Sequence, residues 1–182
     1  MSDIAAEKPS QLIVAAERVI YAGAELQLTQ LGIDLPDGDR IWWDTVRLLR
    51  TASVALVDAD DRVLLLRRPR LIQGRLSWEL PGGIVDAGED PRVTALRELA
   101  ELAGYRAAQL TLVQSLQPAP HSVDGERLLF VGREPEPAEG VAPDGCVREW
   151  VAPAEVLERI KTGQIWDSAT LAALLGLLAR AW

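Results

Sequence analysis

The chain predicts an α/β fold, and three observations carry that expectation. Short β-rich runs at 51–58, 62–67, 110–117, 128–131 and 147–151 alternate with stretches that carry helix-start and helix-stop residues. The clearest of those stretches runs from Asp90 to Gly104 and has apolar residues at helical spacing. The length of 182 residues, with 48% apolar and 25% charged side chains, suits an ordinary globule with a proper core.

Residues 1–16 open polar, with a proline, and are expected to form a loose arm. Residues 17–50 form a leading strand region. Val19 and Tyr21, then Leu26 and Leu28, point one way, as in strands with one covered face. Pro36-Asp37-Gly38 is a turn signal, and Ile41–Leu49 reads as a further strand with Trp42 and Trp43 side by side. The main domain is expected over 51–182. Its first two runs are joined by Ala59-Asp60-Asp61, which is hairpin chemistry. Arg67, Arg68 and Arg70 follow in a tight group. Such a group either clamps a diphosphate, because guanidinium matches phosphate geometry, or protects an exposed sheet edge.

The segment from Asp90 to Gly104 explains itself residue by residue. Asp90 can cap the free N–H groups of the first turn, and Pro91 needs no N–H at the first helical position. Gly104 suits the left-handed residue past the end. Leu96, Leu99, Ala100 and Ala103 share one face; Thr94, Arg97, Glu98 and Glu101 take the other. Glu98 and Glu101 are three apart and point to the same place, and Glu89 adds a third acid just ahead of the helix. Three acids beside a glycine turn can hold a hard cation such as Mg²⁺, which keeps several waters and needs few protein ligands. The plainer reading is a solvated face with an Arg97–Glu101 pair.

The order of residues favours the first reading. Gly83, Glu89, Arg97, Glu98, Leu99, Glu101, Gly104 and Tyr105 stand at the spacing of the Nudix hydrolase signature, and the stretch resembles that family over 23 residues. One fixed position departs: Leu102 stands where the second of two paired glutamates is usual. The preceding Trp78-Glu79-Leu80-Pro81-Gly82 also resembles the family's lead into the glycine turn. With the leading strands and the closing segment included, the likeness runs from about Arg18 to Leu175, and it is nearest the ADP-ribose and nucleotide-sugar pyrophosphatase branch.

That resemblance implies an α/β/α sandwich with a mixed sheet, preceded by antiparallel strands that pair two subunits in a homodimer. It implies Mg²⁺ or Mn²⁺ held by Glu98, Glu101 and the Gly82 carbonyl, with Glu98 as ligand and base. Arg97 and Glu89 would orient the acids. Arg70, Glu79 and Glu126 are the substrate candidates; Glu79 could instead satisfy the turn's backbone, and Glu126 could be a solvated hairpin residue. Trp42 or Trp43 either stacks on a base or packs at an interface. His121 reads as a polar loop residue, with proton transfer as the alternative. A glutamate at 102 would share the metal of Glu98, so Leu102 implies weaker metal binding or fewer ions. The loop Glu134–Asp144 is long enough to act as a lid, and Glu139 and Asp144 are its candidates to complete the site.

The formal net charge of −8 argues against a nucleic-acid partner. The apolar tail Ala169–Trp182 is too short to span a membrane, and the N-terminus lacks the pattern of a signal peptide. With a single cysteine, Cys146, a cytoplasmic setting is expected. The favoured activity is hydrolysis of the diphosphate bond in a nucleoside diphosphate derivative, of the ADP-ribose or nucleotide-sugar type, by an activated water. The products would be a nucleoside monophosphate and a phosphorylated second product. The alternatives are a Nudix enzyme for nucleoside triphosphates, a nucleotide-binding regulator with impaired catalysis, and an enzyme for an unusual diphosphate.

Overall fold

The computed structural model describes residues 13–138 and 147–182. Glu139, Asp144 and Cys146 lie outside the described residues, as does the arm through residue 12. The chain divides into two compact units: residues up to Leu48 with Ala119–Gly125, and Leu49–Pro118 with Glu126–Trp182.

The first unit is a four-stranded sheet of β1 (Ile13–Ala22), β2 (Leu26–Asp34), β3 (Arg40–Leu48) and the short β9 (Val123–Asp124), in that order. The first three are antiparallel, and β9 joins β3 in parallel. Gly38, at φ 91°, makes the turn expected at Pro36-Asp37-Gly38. The guanidinium of Arg18 lies 4.0 Å from the ring centre of Trp42, and the Trp43 indole N–H donates to the His121 carbonyl at 2.8 Å. The sheet leaves Ile13, Val14, Val19, Ile20 and Tyr21 more than half exposed.

The second unit is built on a seven-stranded mixed sheet. Its path runs β11 (Val147–Val151), β5 (Val63–Arg70), β4 (Thr51–Val57), β10 (Arg127–Pro137), β8 (Tyr105–Leu116). β6 (Arg75–Glu79) pairs with β5, and β7 (Gly82–Ile84) pairs with the start of β4. β4 and β10 are parallel, so both are covered on two faces and read as nearly continuous apolar runs. Alternation along them sorts two cores. Ala52, Val54, Leu56, Leu128 and Phe130 meet Ala95, Leu99 and Ala103 of the helical segment on one face. Ala55, Val57, Leu129 and Val131 meet Val156 of α2 (Pro153–Lys161) and Ala169, Ala173 and Leu174 of α3 (Ser168–Leu178) on the other. The result is the expected α/β/α sandwich.

The helical segment itself departs from expectation. The α-helix α1 runs only Pro91–Glu98, and Leu99–Ala103 continue as a π-helical turn. Its ends are as read: Asp90 accepts the Arg92 N–H at 2.8 Å, Pro91 opens the helix, and Gly104 closes it at φ 73°. Thr94, expected on the polar side, is fully buried. In β8, Leu112 is half exposed although Leu110, in regular register with it, is buried, and a register shift follows just beyond Leu112.

Candidate active site

Two adjacent glycines set the geometry. At Gly82 a side chain would collide with Ser53 Oγ and the Ala52 carbonyl, so only glycine lets β7 lie this close to β4. At Gly83 a side chain would land on the carboxylate of Glu98. Glu98 ends α1 and turns back over that bare Cα, where its side chain is only 15% exposed. The loop before Gly82 is tied down from the far side of the sheet. The Leu80 N–H donates to Thr170 Oγ1 at 3.2 Å, and Asp167, which caps α3, accepts both the N–H and the hydroxyl of Thr170 at 2.9 Å.

Arg97 stands among the acids. Its Nη1 is 2.9 Å from Glu98 Oε1 and 3.8 Å from Glu101 Oε2; its Nη2 is 3.0 Å from Glu89 Oε2 and 3.7 Å from Asp86 Oδ2. Glu89 also accepts from the Thr94 hydroxyl at 2.5 Å. Hydrogen bonds from Arg97 and then Thr94 hold the Glu89 carboxyl well below its ordinary range, at about 2. Glu89 therefore anchors the guanidinium, and the guanidinium anchors Glu98. Arg97 and Glu89, the two residues expected to orient the acids, are joined by an ion pair. Thr94 and Asp86 were missed; Thr94 is five residues from Glu89, and only its burial reveals the bond.

The candidate metal ligands are brought together only in part. Glu98 and Glu101 both approach one nitrogen of Arg97, so two carboxylates face a common point. Glu101 is 62% exposed, and among the described residues no three acidic, histidine or cysteine side chains gather as a cation site. The oxygen donors suit a hard ion that brings its own waters, which is how Mg²⁺ is usually held. Leu102 packs on the apolar core beside Leu96 and Tyr105. The π-helical turn is wider than an α turn, so residue 102 does not stack one regular turn above Glu98. The Gly82 carbonyl has Arg68 Nη1 at 3.5 Å, a contact that only the clustering of arginines had hinted at.

The substrate candidates fall into two places. Arg70 grips Glu79 with both Nε, at 2.8 Å, and Nη2. Glu79 is 2% exposed, and among the described residues its carboxylate accepts from Arg70. That charge pair raises the Arg70 pKa further, chiefly through the hydrogen bond, and keeps it cationic. Glu126 belongs to another cluster, accepting from Ser115 Oγ at 2.7 Å with Arg50 at 3.6 Å.

Fold and site together define an α/β/α hydrolase that carries its acids on the helix behind a double-glycine turn. Residues 47–174 match the NUDIX domain model, and the chain belongs to the Nudix family as a pyrophosphohydrolase of the ADP-ribose pyrophosphatase-like branch. It is 31% identical over 166 residues to a CMP-5'-(N-acetyl-N-hydroxy-3-aminopropyl)phosphonate hydrolase of Streptomyces rubellomurinus, covering 89% of this chain and 80% of that one. It is 30% identical to the methanol dehydrogenase activator of Bacillus methanolicus, over 85% and 86% of the two chains. An ADP-ribose pyrophosphatase of Mycobacterium tuberculosis is 28% identical over 90% of this chain and 82% of its own. Among solved structures, an ADP compounds hydrolase superposes with a TM-score of 0.79 at 20% identity, covering 97% and 96% of the two chains, and that likeness bears on the fold. No helix of the described residues is long and apolar enough to cross a membrane.

Proposed function

We propose that the chain hydrolyses the diphosphate bond of a nucleoside diphosphate derivative, of the ADP-ribose or nucleotide-sugar type, with Mg²⁺ or Mn²⁺. The products are a nucleoside monophosphate and a phosphorylated second product. The observation that carries this reading is the Glu98 carboxylate seated on Gly83 and held by Arg97. Glu98 and Glu101, with the Gly82 carbonyl, would hold the ion, which when bound supplies Lewis-acid stabilisation of the developing phosphate charge. Glu98 takes the proton of the attacking water as the new O–P bond forms and the bridging P–O bond breaks. Arg97, fixed by Glu89, keeps Glu98 in place. Arg70, kept cationic by Glu79, binds a phosphate of the substrate, and Glu126 contacts its distal sugar.

The exposed apolar residues of β1, with Trp42 and Trp43 of β3, support a homodimer that covers this sheet, and size-exclusion chromatography with light scattering tests it. The single cysteine and the family support a cytoplasmic setting.

A second reading draws on the phosphonate hydrolase at 31% identity: a cytidine nucleotide joined to a phosphonate would use the same carboxylates and a different pocket. A panel of ADP-ribose, nucleotide sugars, nucleoside triphosphates and a CMP-linked phosphonate, with Mg²⁺ and with Mn²⁺, separates the readings. The first expects ADP-ribose or a nucleotide sugar to have the highest kcat/KM, with loss of about 100-fold or more in Glu98→Gln. A preference for the phosphonate or for triphosphates would replace it.

A further inference from the structure

On the reading of Glu98 as ligand and base, we propose that Thr94 is a positioning residue for the hydrolysis. It acts through Glu89 and Arg97 and leaves one oxygen of Glu98 open to the ion and the attacking water. Thr94 stands outside the signature positions, and its place follows from the helix start. Asp90 is the cap and Pro91 the first helical residue, so Glu89 lies one residue before the cap and Thr94 is the fourth residue of the helix. Those two positions face each other at a helix N-terminus, where apolar side chains often meet and fix the entry of the chain. Here the pair is a carboxylate and a hydroxyl, 2.5 Å apart.

A threonine hydroxyl inside a helix often turns back to the carbonyl one turn earlier. In this helix the Asp90 carbonyl takes the Thr94 N–H at 3.1 Å, and the hydroxyl donates to Glu89 Oε2 instead. Glu89 Oε2 also accepts from Arg97 Nη2 at 3.0 Å, and Glu89 Oε1 accepts from Arg97 Nε at 3.3 Å. Glu89 therefore covers one edge of the guanidinium with both of its oxygens. What remains is Nη1, which donates to Glu98 Oε1 at 2.9 Å and lies 3.8 Å from Glu101 Oε2.

A guanidinium not held along that edge is free to grip a neighbouring carboxylate with two nitrogens, and Glu98 is the neighbour. Both oxygens of Glu98 would then be tied up, and neither would serve an ion or accept a proton. With Glu89 fixed, Arg97 gives one nitrogen to Glu98, and among the described residues no hydrogen bond reaches Glu98 Oε2. Arg97 is 31% exposed and has room to move, whereas Thr94 is fully buried. Its branched side chain has restricted rotamers, so the hydroxyl is the fixed point of the chain that runs Thr94, Glu89, Arg97, Glu98.

Three variants of the full chain test this. Thr94→Val removes the hydroxyl and keeps the shape, Thr94→Ala removes it without crowding Glu89, and Thr94→Ser keeps it. Each is compared with the parent for kcat and KM on the best substrate of the panel with Mg²⁺, and for the Arg97 Nε–H resonance of the metal-free protein. Thr94→Val and Thr94→Ala are expected to lower kcat about tenfold with KM within about twofold, and to shift the Arg97 resonance. Thr94→Ser is expected to keep the parental resonance and at least about half the parental kcat. In a Glu89→Ala background Thr94→Val is expected to cost no more than about a further twofold, because the hydroxyl has lost the carboxylate it holds. Parental kcat and an unshifted resonance in Thr94→Val and Thr94→Ala would overturn the proposal. So would a Thr94→Ser variant as impaired as Thr94→Val, or a loss of the same size repeated in the Glu89→Ala background. Glu98→Gln at the parental rate, or no turnover of any panel substrate, overturns instead the reading of Glu98, and the Arg97 resonance then decides whether Thr94 holds the guanidinium.

Discussion

Gly83→Ala tests the catalytic geometry without touching an acid. The new methyl would fall on the Glu98 carboxylate, which must withdraw by about 1 Å to regain ordinary contact at 3.4 Å or more. The backbone tolerates alanine, because Gly83 lies in a strand and is not among the glycines with positive φ. Alanine also lowers the entropy of the unfolded chain, worth about 0.4–1 kcal/mol in favour of the fold. Against that stands a weakened Arg97–Glu98 bond, whose arginine side chain is 31% exposed, so its loss costs about 1 kcal/mol or less. The variant should therefore melt within a few degrees of the parent. Displacing a base by about 1 Å costs about 100-fold in rate, or about 2.7 kcal/mol of transition-state stabilisation. The assay is kcat/KM on the best substrate of the panel with Mg²⁺, beside Glu98→Gln and a thermal melt. If Gly83→Ala keeps at least half the parental rate while Glu98→Gln is inactive, the seat on Gly83 is not what positions the base. If both remain active, Glu98 is not the base.

Leu102→Glu restores the family's usual residue, yet Leu102 packs on the apolar core. The variant is expected to lose about 1–3 kcal/mol of stability in a denaturant titration without gaining rate, and a clear rise in kcat/KM at low Mg²⁺ would contradict that placement. Glu79→Gln removes the charge that fixes Arg70; KM should rise about tenfold with kcat nearly unchanged, whereas a fall in kcat alone would deny Arg70 a binding role. Glu89 has a folded pKa of about 2 against an ordinary 4.5, so its contribution is complete above 4.5 and is lost as pH falls toward 2. Glu89→Gln should therefore melt below the parent at neutral pH, with the gap closing between 4.5 and 2; a constant gap would refute the pairing. Asp167→Ala uncaps α3 and frees Thr170, and should cost about 1–2 kcal/mol in the same titration.

What the sequence made legible follows from which signals are local. The cap at Asp90, Pro91 at the first turn and Gly104 at the end act within a few residues, and all three stand in the structure as read. β4 and β10 fall on the β-rich runs at 51–58 and 128–131. The misses have one physical origin: they depend on partners distant in the chain or on a change of helical pitch. Thr94 is polar by type, but its hydroxyl is satisfied by Glu89, so it can be buried. Glu79 was left between substrate and backbone because its partner Arg70 is nine residues away across a hairpin that pairs Pro69 with Leu76. Counting at α pitch places residue 102 one turn past Glu98. In the π-helical turn that residue is half-buried and packs against the core. Arg97 meets both Glu98 and Glu101 and draws their charges toward one point.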